Sequence, residues 1–272
     1  MPELPEVETT RRGLAPFIVN QRIRTAIVRH RGLRLPVPKR LPQLVAGKTI
    51  RRVDRRGKYL LIDCGDGTLI VHLGMSGRLW LVDADAPVEK HDHFDLVLEN
   101  RRAVRLRDPR RFGLILWQKN DALEHTLLAS IGPEPLSDDF DGAWLHKITR
   151  NRAAAIKLVL MDSHVVAGVG NIYASEALFR AGIHPKRPAC RISRARYDVL
   201  AEKVRETLEA AIRAGGSTLR DYVGGDGQAG YFQDEHLVYG RGGEPCVKCG
   251  TKIREIRQGQ RATFYCPVCQ RR

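Results

Sequence analysis

The sequence predicts an α+β protein in three parts. A short N-terminal helix leads into an antiparallel β-sandwich or barrel, a helical region follows, and a β-hairpin gripped by four cysteines closes the chain. Three observations carry this. Short apolar strands separated by glycine turns fill residues 15 to about 130, Ala- and Leu-rich runs fill about 143 to 214, and two Cys-x2-Cys pairs lie sixteen residues apart near the C-terminus.

The helix is expected over Pro2 to Gly13. Glu3, Glu6 and Glu8 suit its positive N-terminal end, Arg11 and Arg12 its last turn, and Gly13 a left-handed stop. Glu3 and Glu6 share one face, while Leu4 and Val7 share another. In the β-rich part, Tyr59 to Ile62 and Leu69 to His72 flank Gly65-Asp66-Gly67, a hairpin turn. His93 to Leu98 and Ala103 to Leu106 repeat the pattern around Asn100. Pro133-Glu134-Pro135 and Ser137-Asp138-Asp139 mark a connection. Helices are then expected over Ala153 to Leu160, Ile172 to Arg180 and Tyr197 to Ile212, with Gly168 and Gly170 permitting a tight turn and Asn171 as a helix N-cap. Domain boundaries are expected at 1–132, 133–225 and 236–272.

The chain has 272 residues, 43% of them hydrophobic, and a net charge of +15. That excess is grouped at Arg51-Arg52, Arg55-Arg56, Arg101-Arg102, Arg107 to Arg111 and Arg271-Arg272, which points to a polyanion such as nucleic acid. A basic start followed by an apolar run is absent, as is any stretch long enough to span a membrane, so a cytosolic, non-secreted protein is expected. Cys64 and Cys190 are expected to be ordinary buried thiols. Cys246, Cys249, Cys266 and Cys269 have zinc spacing, and four thiolates complete a tetrahedron with no open position, so one structural zinc is expected. Two disulfides are the competing reading, which a cytosolic setting disfavours.

The chemistry sits at the start. Once Met1 is trimmed, Pro2 carries a free secondary amine with a pKa of about 8, partly unprotonated at neutral pH. Such an amine attacks carbonyl-like carbons and forms a Schiff base, and Glu3 can move a proton beside it. On those residues alone an ordinary helix start is the better reading. The rest of the chain reverses it. Asn171 lies at a helix end that can hold a phosphate, as part of a helix–turn–helix variant that would clamp DNA backbone. Lys58 opens a strand after two arginines, where it is either solvated or a phosphate contact or proton shuttle. The loop Leu73 to Gly77 places one apolar side chain between glycines, and the loop Asp108 to Gly113 carries a basic pair and an aromatic before a glycine. These are either core plugs or wedges that enter a duplex beside an extruded base.

Taken together, the Pro-Glu-Leu-Pro-Glu start, Lys58, the His-Leu-Gly-Met-Ser-Gly loop from His72, Lys90-His91-Asp92-His93, the Asp-Pro-Arg-Arg-Phe-Gly loop, the Gly-Asn-Ile-Tyr turn at Gly170 and the four cysteines span essentially the whole chain. In these features the chain resembles the formamidopyrimidine-DNA glycosylases, which excise oxidised purines and then cut the DNA. The resemblance implies that Pro2 attacks C1′ of the damaged nucleotide and that Glu3 protonates the sugar, with Glu6 supporting the site. It implies β,δ-elimination assisted by Lys58 and Arg261. Met75, Arg110 and Phe112 match void-filling residues, with Phe112 as the wedge and Arg110 facing the orphaned cytosine. Lys58, Asn171 and Arg261 match phosphate contacts, and His72, His91 and Arg152 further DNA contacts. The stretch Ser217 to Tyr222 corresponds to a loop that closes over the damaged base. The resemblance implies a helix–two-turn–helix in the helical domain, and a monomer acting on double-stranded DNA in the bacterial nucleoid. Two alternatives remain: an endonuclease VIII-like enzyme for oxidised pyrimidines, against which Leu4 and the Met75/Arg110/Phe112 set argue, and a non-enzymatic zinc-ribbon DNA binder.

Overall fold

The computed structural model describes residues 2–217 and 232–271, so residues 218–222 of the expected loop and the glycines at 224–227 lie outside it. The described residues form two compact units, one of residues 2–129 with 214–217, the other of 130–213 with 232–271.

The first unit is a sandwich of two antiparallel sheets. Its strands are β1 (Ile23–Val28), β2 (Arg52–Arg56), β3 (Tyr59–Asp63), β4 (Gly67–His72), β5 (Arg78–Asp83), β6 (Asp92–Leu98), β7 (Arg102–Arg107) and β8 (Leu114–Lys119). One sheet has the order β1-β6-β7-β5, the other β2-β3-β4-β8. Inward-facing residues such as Leu60, Ile62, Leu69, Val71, Phe94, Leu96, Val104, Leu106 and Ile115 fill the space between them. Burial of each large aliphatic side chain contributes about 1.5–3 kcal/mol. Turn chemistry fixes the register. Arg56 faces Tyr59 across a two-residue turn, where Gly57 has φ 56°, and Asp63 faces Thr68 across the expected glycine turn.

Helix α1 (Leu4–Ile18) packs against β2, β3 and β5 and so touches both sheets. It runs past the stop expected at Gly13. Leu14 and Ile18 continue the apolar stripe begun by Leu4 and Val7, and all four are buried. Burying two more aliphatic side chains outweighs the roughly 1 kcal/mol that an interior glycine costs. The left-handed residue that follows the helix is Asn20, with φ 65°. Two short helices, α2 (Leu41–Val45) and α3 (Thr126–Ala129), complete the unit.

The second unit contains α4 (Gly142–Thr149), α5 (Ile156–Leu160), α6 (Asn171–Arg180) and α7 (Arg194–Arg213), with α7 packed on α4 and α6. The expected helix from Ala153 begins only at Ile156, because Ala155 pairs in extended form with Pro188. Between α5 and α6 the backbone makes successive turns, closed by Asp162 N–H to Val159 O and Val165 N–H to Asp162 O. This is the expected helix–two-turn–helix. Strands β9 (Arg254–Gln258) and β10 (Arg261–Tyr265) form the expected hairpin around Gly259 and Gln260, both at positive φ. Cys64 is buried as expected, but Cys190 is exposed, since it lies in a surface 3-10 turn rather than facing the core.

Candidate active site and nucleic-acid interface

Pro2 and Glu3 are buried where the chain enters α1. The backbone N–H of Glu3 donates to Glu6 Oε2 at 2.7 Å, the Glu6 half of a capping box. The other oxygen, Glu6 Oε1, accepts from Ser217 N–H at 2.8 Å. Gly216, at φ 83°, lets the chain pass this close: a Cβ there would lie 3.0 Å from Glu6 Oε1. One carboxylate thus ties the N-terminal segment to a residue more than two hundred positions away. Glu8 anchors the same helix to β2. Burial pushes its carboxyl upward, but hydrogen bonds from Arg11 and Arg12 and the nearby Arg55 charge outweigh that and hold it at about 2.

Lys58 occupies the β2–β3 turn, half-buried. Its charge, with that of Arg34, adds to burial in driving His72 down to about 4. His72 is therefore neutral at pH 7. Its Nδ1 accepts from Gly74 N–H at 2.9 Å, which places the ring proton on Nε2, and the ring packs on Tyr59. The side chain predicted as a DNA contact thus shapes the loop that carries Met75.

That loop and the Asp108–Gly113 loop lie backbone against backbone. A Cβ on Gly74 would fall 2.4 Å from Gly113 N, and one on Gly113 2.9 Å from His72 O. Met75 and Phe112 project from them at 42% and 45% exposure, so neither is a core plug. The guanidinium of Arg110 lies 4.8 Å from the centre of the Phe112 ring. His91 takes φ 76°, its carbonyl accepting from Asp108 N–H at 3.0 Å.

In the second unit Asn171 is the first residue of α6, and Gly170 is the N-cap. The expectation that Asn171 caps the helix is corrected: stronger partners claim its amide. Lys157 Nζ donates to Asn171 Oδ1 at 2.7 Å, and Asn171 Nδ2 donates to Ala262 O at 3.1 Å. Lys157 is 1% exposed and also donates to Thr263 Oγ1 and Ala262 O. It joins α5, the start of α6 and β10, and sequence reasoning missed it. The available signal was a charged residue inside the apolar run Ala155-Ile156-Lys157-Leu158-Val159-Leu160. Arg261 is exposed at the start of β10, next to the carbonyl that Asn171 and Lys157 hold. Arg152 pairs with Asp162 at 2.9 Å.

The four Sγ atoms of Cys246, Cys249, Cys266 and Cys269 lie within 4.8 Å of one another. A zinc–thiolate tetrahedron with bonds of about 2.3 Å has sulfur–sulfur edges of about 3.8 Å. The observed Cys246–Cys269 and Cys249–Cys266 separations are 3.9 and 3.5 Å. Backbone N–H groups of Lys248 and Cys269 point at Cys246 and Cys266 sulfurs, as they do toward metal-bound thiolates. The donor set fits one structural zinc ion.

Three family models match the chain: the formamidopyrimidine-DNA glycosylase N-terminal domain over residues 1–115, the H2TH domain of the same proteins over 131–223, and the zinc finger found in FPG and IleRS over 243–272. The formamidopyrimidine-DNA glycosylase of Stutzerimonas stutzeri is 60% identical over the full length of both chains. The chain belongs to the formamidopyrimidine-DNA glycosylase family. That of Marinobacter nauticus is 56% identical, again over the whole of both chains. Among solved structures, MutM (FPG) from Thermus thermophilus superposes with a TM-score of 0.89 at 40% identity, covering 99% of this chain and 98% of that one. The Lactococcus lactis FPG in complex with DNA containing an abasic site gives 0.92 at 38% identity, covering 99% and 100%. The same enzyme with Fapy-dG-containing DNA gives 0.91 at 38% identity over the same shares. Membership carries the zinc with it. Among the described residues no helix is long and apolar enough to cross a membrane.

Proposed function

We propose that this chain is a bifunctional DNA glycosylase and abasic-site lyase of base excision repair, acting on oxidised purines in duplex DNA. The observation that carries the reading is the buried, pinned N-terminus. Chain ends are normally loose; here Pro2 and Glu3 are buried and Glu6 bridges Glu3 to Ser217.

With Met1 removed, the Pro2 nitrogen attacks C1′ of an extruded nucleotide. The glycosidic bond breaks and the base leaves, taking up the proton that the Pro2 nitrogen gives up, while Glu3 gives a proton to the sugar ring oxygen as the ring opens. The product is an iminium linking protein and sugar. It acidifies the C2′ hydrogen, so loss of that proton expels the 3′ phosphate, and a second elimination expels the 5′ phosphate. Lys58 and Arg261 assist these proton transfers and, with Asn171, hold the flanking phosphates. Phe112 and Met75 fill the vacated space, and Arg110 addresses the orphaned cytosine. His91 and Arg152 contact the backbone, and His72 acts through the loop it holds. Extrusion costs a few kcal/mol, which wedging and phosphate contacts offset. The functional segments are 1–132, 133–225 and 236–272, the enzyme works as a monomer, and its place of action is the bacterial nucleoid.

The test is a duplex carrying one 8-oxoguanine opposite cytosine, with products resolved on a denaturing gel. A strand cut at the lesion with phosphate at both new ends is expected. An uncut strand, or a clear preference for thymine glycol, would count against the reading.

A further inference from the structure

We propose that Asp108 is a positioning residue that locks the loops bearing Met75, Arg110 and Phe112 into one preformed wedge. The inference rests on the DNA-extruding function proposed above. Asp108 is fully buried, whereas Met75 and Phe112 above it are exposed. Its Oδ1 accepts from the Ser76 hydroxyl at 2.8 Å, in the Met75 loop, and its Oδ2 from Gly113 N–H at 2.7 Å, just after Phe112. Ser76 Oγ in turn accepts from Arg110 N–H at 3.1 Å, closing a ring across both loops. The backbone of Asp108 adds the third loop: its N–H donates to His91 O at 3.0 Å, and its carbonyl accepts from His93 Nε2–H and Arg111 N–H, both at 3.1 Å.

A buried carboxylate is costly unless its oxygens are satisfied, and here each oxygen is spent on a different loop. A group that only stabilised one turn would need one of these contacts. Joining them fixes the separation of Met75 from Phe112 before DNA arrives, which removes ordering cost from the step in which the duplex is opened. Chemistry on a nucleotide that is already unpaired needs no wedge. Asp108 therefore acts on one substrate class and not on the other.

The experiment compares two substrates: a duplex with 8-oxoguanine opposite cytosine, and a single-stranded oligonucleotide with a preformed abasic site. Under single-turnover conditions, Asp108→Ala is expected to lose about tenfold or more on the duplex while cutting the single strand within about twofold of the unmodified protein. Asp108→Asn, which keeps one acceptor and can donate to Ser76, is expected to recover most of the duplex activity. Ser76→Ala, which removes the link between the loops without touching the charge, is expected to show the same selective loss and serves if Asp108→Ala does not fold. Equal loss on both substrates, or no loss on the duplex, would overturn the inference while Phe112→Ala still showed the duplex-selective defect. Failure of the unmodified protein to cut either substrate would instead remove the proposed function, and this inference with it.

Discussion

Phe112 was ambiguous in the sequence, because an aromatic between basic residues and a glycine suits a core plug as well as a wedge. At 45% exposure it is no core residue. Truncating a buried Phe costs about 3–5 kcal/mol. Phe112→Ala is instead expected to leave the melting temperature nearly unchanged and to weaken engagement of a lesion-containing duplex. A large fall in melting temperature would contradict this. Lys157 shows the opposite limit. Its partners Ala262 and Thr263 lie more than a hundred positions away, so no local periodicity could reveal them. Lys157→Met removes the donor to the buried Thr263 hydroxyl, at about 1–3 kcal/mol, while Ala262 O keeps the bond from Asn171 Nδ2. The expected result is a lower melting temperature together with weaker binding to DNA. Unchanged binding would show that Asn171 is held without it. For Asn171, sequence gives the preference for a cap position but not the competing partners.

At the scale of elements, hairpins were legible because turn residues and alternating apolar residues agree, as at Gly65-Asp66-Gly67 and at the zinc hairpin. The length of α1 was not, since a glycine's local cost is small against the burial of Leu14 and Ile18. The strand β4 and its following loop carry a pH signature. His72 titrates at 6.5 in an unfolded chain and at about 4 in the fold. Between those values the unfolded state binds more protons, so this contribution is complete above about 6.5 and is lost as pH falls toward 4. His72→Gln, which can still accept from Gly74 N–H, is expected to show a shallower fall in melting temperature over that window than the unmodified protein. Parallel curves would contradict the assignment. The zinc hairpin has only a small apolar cluster, chiefly Phe179, Val238, Ile253 and Phe264 beside the cysteines. Removing the metal is therefore expected to unfold it and abolish DNA binding while β-sandwich amides stay protected from hydrogen exchange. A hairpin that stays protected without metal, or active protein without zinc by elemental analysis, would refute this.

For the whole molecule, the net charge of +15 and the grouped arginines announced a polyanion, and the zinc spacing and strand-to-helix change announced the three-part order. What sequence could not announce is the return of the chain at residues 214–217 to the first unit, where Ser217 meets Glu6. That contact ties the helix start to a distant segment of the chain. The proposed nucleophile is the terminus itself. Its most direct test is borohydride reduction during reaction with an 8-oxoguanine duplex, followed by proteolysis and mass mapping of the trapped adduct. A stable crosslink is expected on the peptide that begins at Pro2, absent when the N-terminus is extended or Met1 is retained. A crosslink on Lys58, or full trapping with a blocked N-terminus, would contradict it.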